Sequence, residues 1–215
     1  MSFAAHWKAV VKLFLLGANG RTGLRILGLA LRAGDTVTAL VRTEHRLAHV
    51  RHERLKVRVG SPSDPSVLEP LLPGHDVVVS VLGPRWPSKA ACAIYPNSAA
   101  AIVEAMQRSD VDRLLVTSSA LLFPDDNFFI SALRRLVPNI VDGARHMEDR
   151  IRSSNLDWTI ARTTFLTNND ATDYRLGEGA LPERSSAVSR AAVAHFLHTE
   201  ASQARHRRRV VGLCG

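Results

Sequence analysis

Short apolar runs alternate with stretches of helical periodicity through the first two-thirds of the chain. Runs at residues 11–16, 36–41, 55–59, 76–81, 112–118 and 156–161 read as strands, and apolar positions at helical spacing mark helices near 21–33, 64–72, 93–109 and 142–154. Strands that are apolar nearly throughout belong in a parallel sheet buried on both sides. The pattern therefore predicts an α/β fold, a Rossmann-like doubly wound sheet with helices on both faces. After residue 162 the alternation loosens. Residues 163–187 are polar and loop-like, followed by a helix near 189–200 and a last strand near 208–213. Pro62, Pro65, Pro70 and Pro73 punctuate loops and helix ends, and neither a repeat nor a low-complexity linker divides the chain. One domain over 1–215 is expected. Ligands of such sheets lie beyond the carboxyl ends of the strands, so 163–187 is expected to form a loop region on the substrate side.

The first strand runs into Gly17-Ala18-Asn19-Gly20-Arg21-Thr22-Gly23, three glycines spaced three apart, and a helical pattern with Leu24, Ile26, Leu27 and Leu31 as its apolar side follows at once. In this setting Gly17 permits a tight turn, Gly20 lets backbone approach phosphate oxygens, and Gly23 lets the helix pack closely on the strand. The first helical turn offers unpaired N–H groups and the positive end of its dipole to an anion. An ordinary tight turn would also use glycines. The position of these three after a first strand, at the head of a strand–helix series, points to a dinucleotide.

The end of the second strand separates the two nicotinamide dinucleotides, an acidic residue favouring a ribose 2′-hydroxyl and an arginine a 2′-phosphate. This strand ends Val41-Arg42-Thr43, with Arg46 four residues beyond Arg42 and no Asp or Glu at the strand end. Two guanidinium groups at this spacing suit a phosphate, so NADP(H) is expected over NAD(H). The competing reading makes both of them ordinary surface arginines.

Charge adds to this picture without narrowing it far. The formal net charge is +8, and with lysine only at positions 8, 12, 56 and 89, the 28 basic residues include 24 arginines. Such a balance favours anionic partners, nucleic acids and phosphorylated small molecules alike. The densest cluster, Arg205-His206-Arg207-Arg208-Arg209, has no interleaved aromatics and reads as a solvated loop entering the last strand, so a nucleic-acid partner is not expected. No apolar run approaches the roughly 20 residues that span a bilayer, and the run Ala9 to Ala18 is broken by Lys12, unlike a secretory signal. A cytoplasmic protein with no membrane partner is expected. Cys92 and Cys214 form no metal or redox motif.

The glycine turn, Arg42, the strand end Val81-Leu82-Gly83 and the segment Leu115-Val116-Thr117-Ser118-Ser119-Ala120 together resemble a known group. They are similar to the atypical short-chain dehydrogenase/reductases with a lone NAD(P)-binding domain, and among these to flavin reductase/biliverdin-IX-beta reductase proteins. The likeness extends through Arg152-Ser153-Ser154-Asn155-Leu156-Asp157-Trp158-Thr159-Ile160-Ala161-Arg162 and Val188-Ser189-Arg190-Ala191-Ala192-Val193-Ala194. It implies that Gly17, Asn19, Gly20, Arg21 and Thr22 meet the pyrophosphate and Arg42 the 2′-phosphate. It also implies that Leu82 and Gly83 lie along the cofactor, that Arg85 approaches an anionic group, and that Ser118 and Ser119 end the fifth strand near the nicotinamide. Ser119 matches the family serine beside the reacting centre, where a hydroxyl orients substrate or relays a proton; the other reading is a strand-end hydroxyl bonded to nearby backbone. Trp86 either stacks on a planar ligand or anchors its loop.

Several departures from the family pattern stand out. The Tyr-X-X-X-Lys pair of conventional members is missing, because Ala99 and Glu178 lie four residues after Tyr95 and Tyr174. Gly60-Ser61 replaces the usual Gly-Asp, Ala192 the usual Asp of the late helix, and Arg162-Thr163 the usual Arg-Pro. Two functions stay open at this point. One is an NADPH-dependent reductase of a planar, anionic small-molecule acceptor such as a flavin, quinone or tetrapyrrole. The other is a redox-sensing regulator that binds NADP(H) and signals to a protein partner. An isoflavone-reductase-like activity lacks its expected lysine.

The remaining candidates carry less. His45, His49 and His52 lack acidic or cysteine company suited to a metal site. His195 and His198 read as partners of polar groups or solvent, and Asp125 and Asp126 as helix-capping or loop acids. His146 and Glu148 are placed at the start of a helical stretch near the site mouth.

Overall fold

The computed structural model describes residues 10–124 and 128–215, so Asp125 and Asp126 lie outside the described residues. The chain order begins β1 (Lys12–Leu16), α1 (Arg21–Ala33), β2 (Thr36–Val41), β3 (Leu55–Val59), α2 (Pro65–Leu68), β4 (Val77–Ser80), α3 (Lys89–Cys92), α4 (Ile94–Gln107) and β5 (Arg113–Ser119). It continues with α5 (Phe128–Leu136), α6 (Pro138–Arg152), β6 (Asp157–Thr163), β7 (Phe165–Thr167), β8 (Arg175–Glu178), β9 (Ala187–Ser189), α7 (Arg190–Gln203) and β10 (Arg209–Cys214).

Eight strands form one sheet in the order β3-β2-β1-β4-β5-β6-β10-β8, parallel throughout except for β8, which runs antiparallel to β10. Strand alternation explains why both faces are covered. Leu13 and Leu15 of β1 face the layer of α1 and α7 with Ile26, Phe196 and Leu197, whereas Phe14 and Leu16 face α4 and α6 with Ile102, Met106 and Ile151. Each such side chain stabilises the fold by about 1.5–3 kcal/mol relative to exposure. The doubly wound fold expected from the sequence is the one formed. Its order reverses between β1 and β4, which opens a crevice at their carboxyl ends.

Several details differ from the sequence reading. In α1 the buried face is Gly23, Ile26, Leu27 and Ala30, while Leu24 is exposed, because the small residues let this face press against the sheet. Helix α6 starts at Pro138, four residues before the expected 142, with proline at its first turn. His146 and Glu148 thus lie mid-helix; His146 is exposed and Glu148 buried. The span expected as loop, 163–187, contains β7 and β8, and β7 pairs in parallel with β9, which begins at Ala187. Both cysteines are free and buried. No described helix is long and apolar enough to cross a membrane.

The amino end of the sheet is closed by a buried polar network in which Arg113 Nε has no hydrogen-bond partner among the described residues. Asp35 Oδ1 accepts the Val11 N–H at 3.0 Å and its Oδ2 meets His198 Nε2 at 2.7 Å. Arg113 donates to Glu200 Oε1 and Thr159 Oγ1, both at 2.8 Å, and Glu200 also accepts the His206 N–H at 2.7 Å. Burial holds the Arg113 guanidinium below the ordinary arginine value, against the opposing pull of Asp157 and Glu200.

Candidate functional site

The glycine turn sits at the carboxyl end of β1, in the crevice beside β4. Gly17 has φ +84°, and a Cβ there would lie 2.9 Å from the Val81 carbonyl oxygen, so both conformation and space require glycine. The Gly20 N–H donates to the Gly17 carbonyl at 2.9 Å and closes the turn. A Cβ on Gly23 would fall 2.1 Å from the same carbonyl oxygen, so α1 rests directly on the turn. No side chain caps α1, whereas the Ser189 hydroxyl caps α7 by accepting the Ala192 N–H at 2.8 Å. Uncapped N–H groups above a turn that only glycine can form are the donor set a pyrophosphate needs, and the residues fit that group.

Around this turn the charge is positive. Arg21, Arg42 and Arg46 are exposed, and none pairs with another described residue. Arg42 stands just past β2, where the adenine ribose of a dinucleotide would lie. Burial, then the neighbouring Arg21 and Arg25, holds the Arg190 guanidinium below its ordinary value, so three cations gather at the N-termini of α1 and α7. Arg25 is tied to Asp170 at 2.5 Å and to the Asn168 carbonyl at 3.0 Å, while Arg190 donates to Asn168 Oδ1 at 2.8 Å. These bonds fasten the segment after β7 to the helix that follows the glycine turn. The sequence reading missed this fastening, which joins residues more than 140 positions apart.

The other side of the crevice is formed by the segment after β4. Leu82 is half-buried against the α4–α6 layer, Gly83 and Arg85 are exposed, and Trp86 is 72% exposed. Asn139 Nδ2 donates to the Pro87 carbonyl at 3.0 Å and anchors this loop to α6. At the end of β5 the Ser118 hydroxyl donates to Glu148 Oε1 at 2.6 Å. Arg162 grips the same carboxylate with two bonds, at 2.9 and 2.7 Å, and its guanidinium lies 4.6 Å from the centroid of Phe123. Ser118 is therefore committed to a buried ion pair that the sequence did not reveal. Ser119 Oγ accepts the Leu121 N–H at 3.2 Å, the backbone-bonded reading, and keeps its own proton free to donate. His45, His49 and His52 build no metal site; among the described residues no such cluster of three ligands exists.

With this geometry in place, comparison with known proteins settles the class. A family model described as NAD(P)H-binding matches residues 17–204. The chain belongs to this NAD(P)H-binding family. Among solved structures it is similar to a short-chain dehydrogenase/reductase from Veillonella parvula in complex with NADP, with 26% identity, a TM-score of 0.71, and 95% of this chain and 94% of that one covered. A Rossmann-fold NAD(P)-binding family protein from Shigella flexneri shares the fold at 21% identity and a TM-score of 0.75, covering 95% and 93% of the two chains. So does a Streptococcus pneumoniae protein provisionally assigned as an NADH-flavin reductase, at 20% identity and a TM-score of 0.73, covering 95% and 99%. The resemblance read from the motifs holds at this level.

Proposed function

We propose that this protein is an NADPH-dependent reductase that passes hydride to a planar, anionic acceptor such as a flavin, quinone or tetrapyrrole. The carrying observation is the open wall after β4, where the exposed Arg85 and Trp86 stand beside the crevice that the glycine turn lines. An exposed indole offers a stacking face to a planar ring, and a neighbouring guanidinium offsets negative charge. When bound, the nicotinamide cofactor supplies the hydride. The residues assigned to hold it are Gly17 to Gly23, Arg42, Arg46, Leu82, Gly83 and the Ser118 backbone. Ser119 directs its remaining O–H toward the acceptor, orienting it or relaying a proton. Such acceptors take a proton from water, so the reaction does not need a Tyr-X-X-X-Lys pair. Residues 163–187 form the substrate side of a single cytoplasmic domain.

Titration of protein fluorescence with NADPH and NADH, followed by NADPH oxidation with flavin mononucleotide (FMN) and a naphthoquinone, tests this reading. Tight binding with turnover supports it. Tight binding without turnover favours the redox-sensing alternative, for which the commitment of the Ser118 hydroxyl to Glu148 speaks.

Cofactor choice gives a sharper test. Arg42→Ala is expected to raise the NADPH dissociation constant about tenfold, the loss of one exposed charge-assisted bond, and to leave that for NADH within twofold. Equal losses for both cofactors would contradict a 2′-phosphate contact.

A further inference from the structure

The hydroxyls at the ends of β5 and β6 are largely engaged. Ser118 donates to Glu148, Ser119 accepts from Leu121, and Thr163 Oγ1 donates to the Ser118 carbonyl at 3.3 Å. Tyr95, in the first turn of α4, differs: its hydroxyl makes no hydrogen bond with any described residue. The side chain is nonetheless built firmly into the wall. A Cβ on Gly143 of α6 would lie 3.2 Å from its Cδ2, so the helix leaves just enough room for the ring. The ring, like Leu82, packs against the α4–α6 layer, and the hydroxyl reaches a point 3.6 Å from where a Gly83 Cβ would stand. An apolar body is thus anchored in the core while its polar tip is presented beside an exposed glycine. That glycine belongs to the strand-end segment assigned to the cofactor.

We propose that Tyr95 donates a hydrogen bond to a carbonyl oxygen of the acceptor docked over Gly83, and so orients it for reduction. This rests on the reductase reading and narrows its acceptor to a carbonyl-bearing ring system, a quinone or a flavin. Tyr95 is not consumed. The acceptor gains a hydride from NADPH and a proton from water, and NADP+ is left. Burial, then the nearby Cys92, pushes the phenol up to about 12 from its ordinary 10, which keeps it protonated and able to donate throughout the range of an assay. Gly83 matters to this role because a side chain there would begin 3.6 Å from the hydroxyl and compete with the acceptor for the space beside it.

Tyr95→Phe keeps the ring packing and deletes the donor. Three quantities are measured on wild type and variant: NADPH affinity, the affinity of the protein–NADP+ complex for oxidised FMN, where no turnover occurs, and kcat/KM with FMN and with a naphthoquinone. The expected result is NADPH affinity within twofold, with FMN affinity and kcat/KM each reduced about tenfold, the size of one neutral hydrogen bond. FMN affinity and kcat/KM within twofold of wild type would overturn the role of Tyr95 and leave the reductase reading standing. A comparable loss of NADPH affinity would assign the hydroxyl to the cofactor and overturn the proposal. A wild-type protein that binds NADPH but neither binds FMN nor reduces either acceptor would remove the reductase reading and the proposal together.

Discussion

Replacing Gly23 with alanine is expected to cost about 3 kcal/mol of stability and to abolish measurable NADPH binding. The new methyl carbon would stand 2.1 Å from the Gly17 carbonyl oxygen and 2.8 Å from Ala18 Cα. Both neighbours are backbone, so no rotamer change relieves the overlap, and α1 must lift from the turn. That movement withdraws the uncapped N–H groups from the crevice at the same time as it opens the packing of Ile26 and Leu27. A domain of this length loses about 2–4 °C per kcal/mol, which puts the melting temperature about 6–12 °C lower. Gly20→Ala separates the two effects. Its Cβ would meet only the Gly17 carbonyl oxygen, at 3.1 Å, and its φ is an ordinary −78°. This variant is expected to keep its stability to within about 1 kcal/mol. It should still bind NADPH more weakly, because the methyl occupies the approach to the phosphates. Thermal melts and fluorescence titrations of both variants decide the matter, and a Gly23→Ala protein that melts and binds like wild type would refute the packing argument.

What the sequence disclosed and what it hid follow from how far apart the interacting residues are. The span from β1 to β2 was legible because its signals are local: an apolar run, glycines three apart, and a 3.6-residue period ending at Ala33. The orientation of α1 was not, because apolar size was the guide and the structure buries Gly23 and Ala30 in preference to Leu24. Strands β7 and β9 have three residues each, too few for periodicity to register, and β8 is an exposed edge whose Arg-Leu-Gly-Glu reads as loop. The start of α6 was marked by Pro138, a usable signal at a helix first turn that apolar spacing alone passed over. In the site, the glycine turn and Arg42 lay in motifs. Glu148 was noticed yet placed at the mouth, because its partners Arg162 and Ser118 reach it only once β5, α6 and β6 are packed. Tyr95 was set aside because it has no lysine four residues on, although the space left by Gly83 and Gly143 defines its position.

The two ends of the sheet consequently differ in how their polar groups are used. At the amino end, Asp35 pairs with His198, and Glu200 is held by Arg113 and His206. At the carboxyl end, Arg21, Arg42, Arg46 and the Tyr95 phenol have no partner among the described residues, and the buried Glu148 holds β5 and β6 in place. Fixed groups below and free groups above are what a site needs when its own residues position a ligand and do not react with it.

That division yields the second large effect, a comparison of two buried glutamates. Glu148→Gln is expected to cost about 3–5 kcal/mol, because it leaves the Arg162 guanidinium without its counter-charge, and no other described carboxylate lies within ion-pair distance of it. The Phe123 ring beneath Arg162 offsets only about 1 kcal/mol of this. Glu200→Gln should cost less, about 2–3 kcal/mol, because Arg113 keeps Asp157 at 3.4 Å as a second carboxylate partner. The functional consequences separate more widely. Glu200 lies at the amino end, so its variant is expected to bind NADPH with wild-type affinity below its melting temperature. Glu148 supports Ser118 and, through Arg162, the last residues of β6, so its variant is expected to lose at least tenfold in kcat/KM at temperatures where it is still folded. Chemical denaturation at 25 °C gives the two stability losses, and steady-state rates on the same samples give the functional ones. Equal stability losses would show that Asp157 does not share the charge of Arg113, and an unimpaired Glu148→Gln variant would show that the proposed reduction does not depend on the ends of β5 and β6.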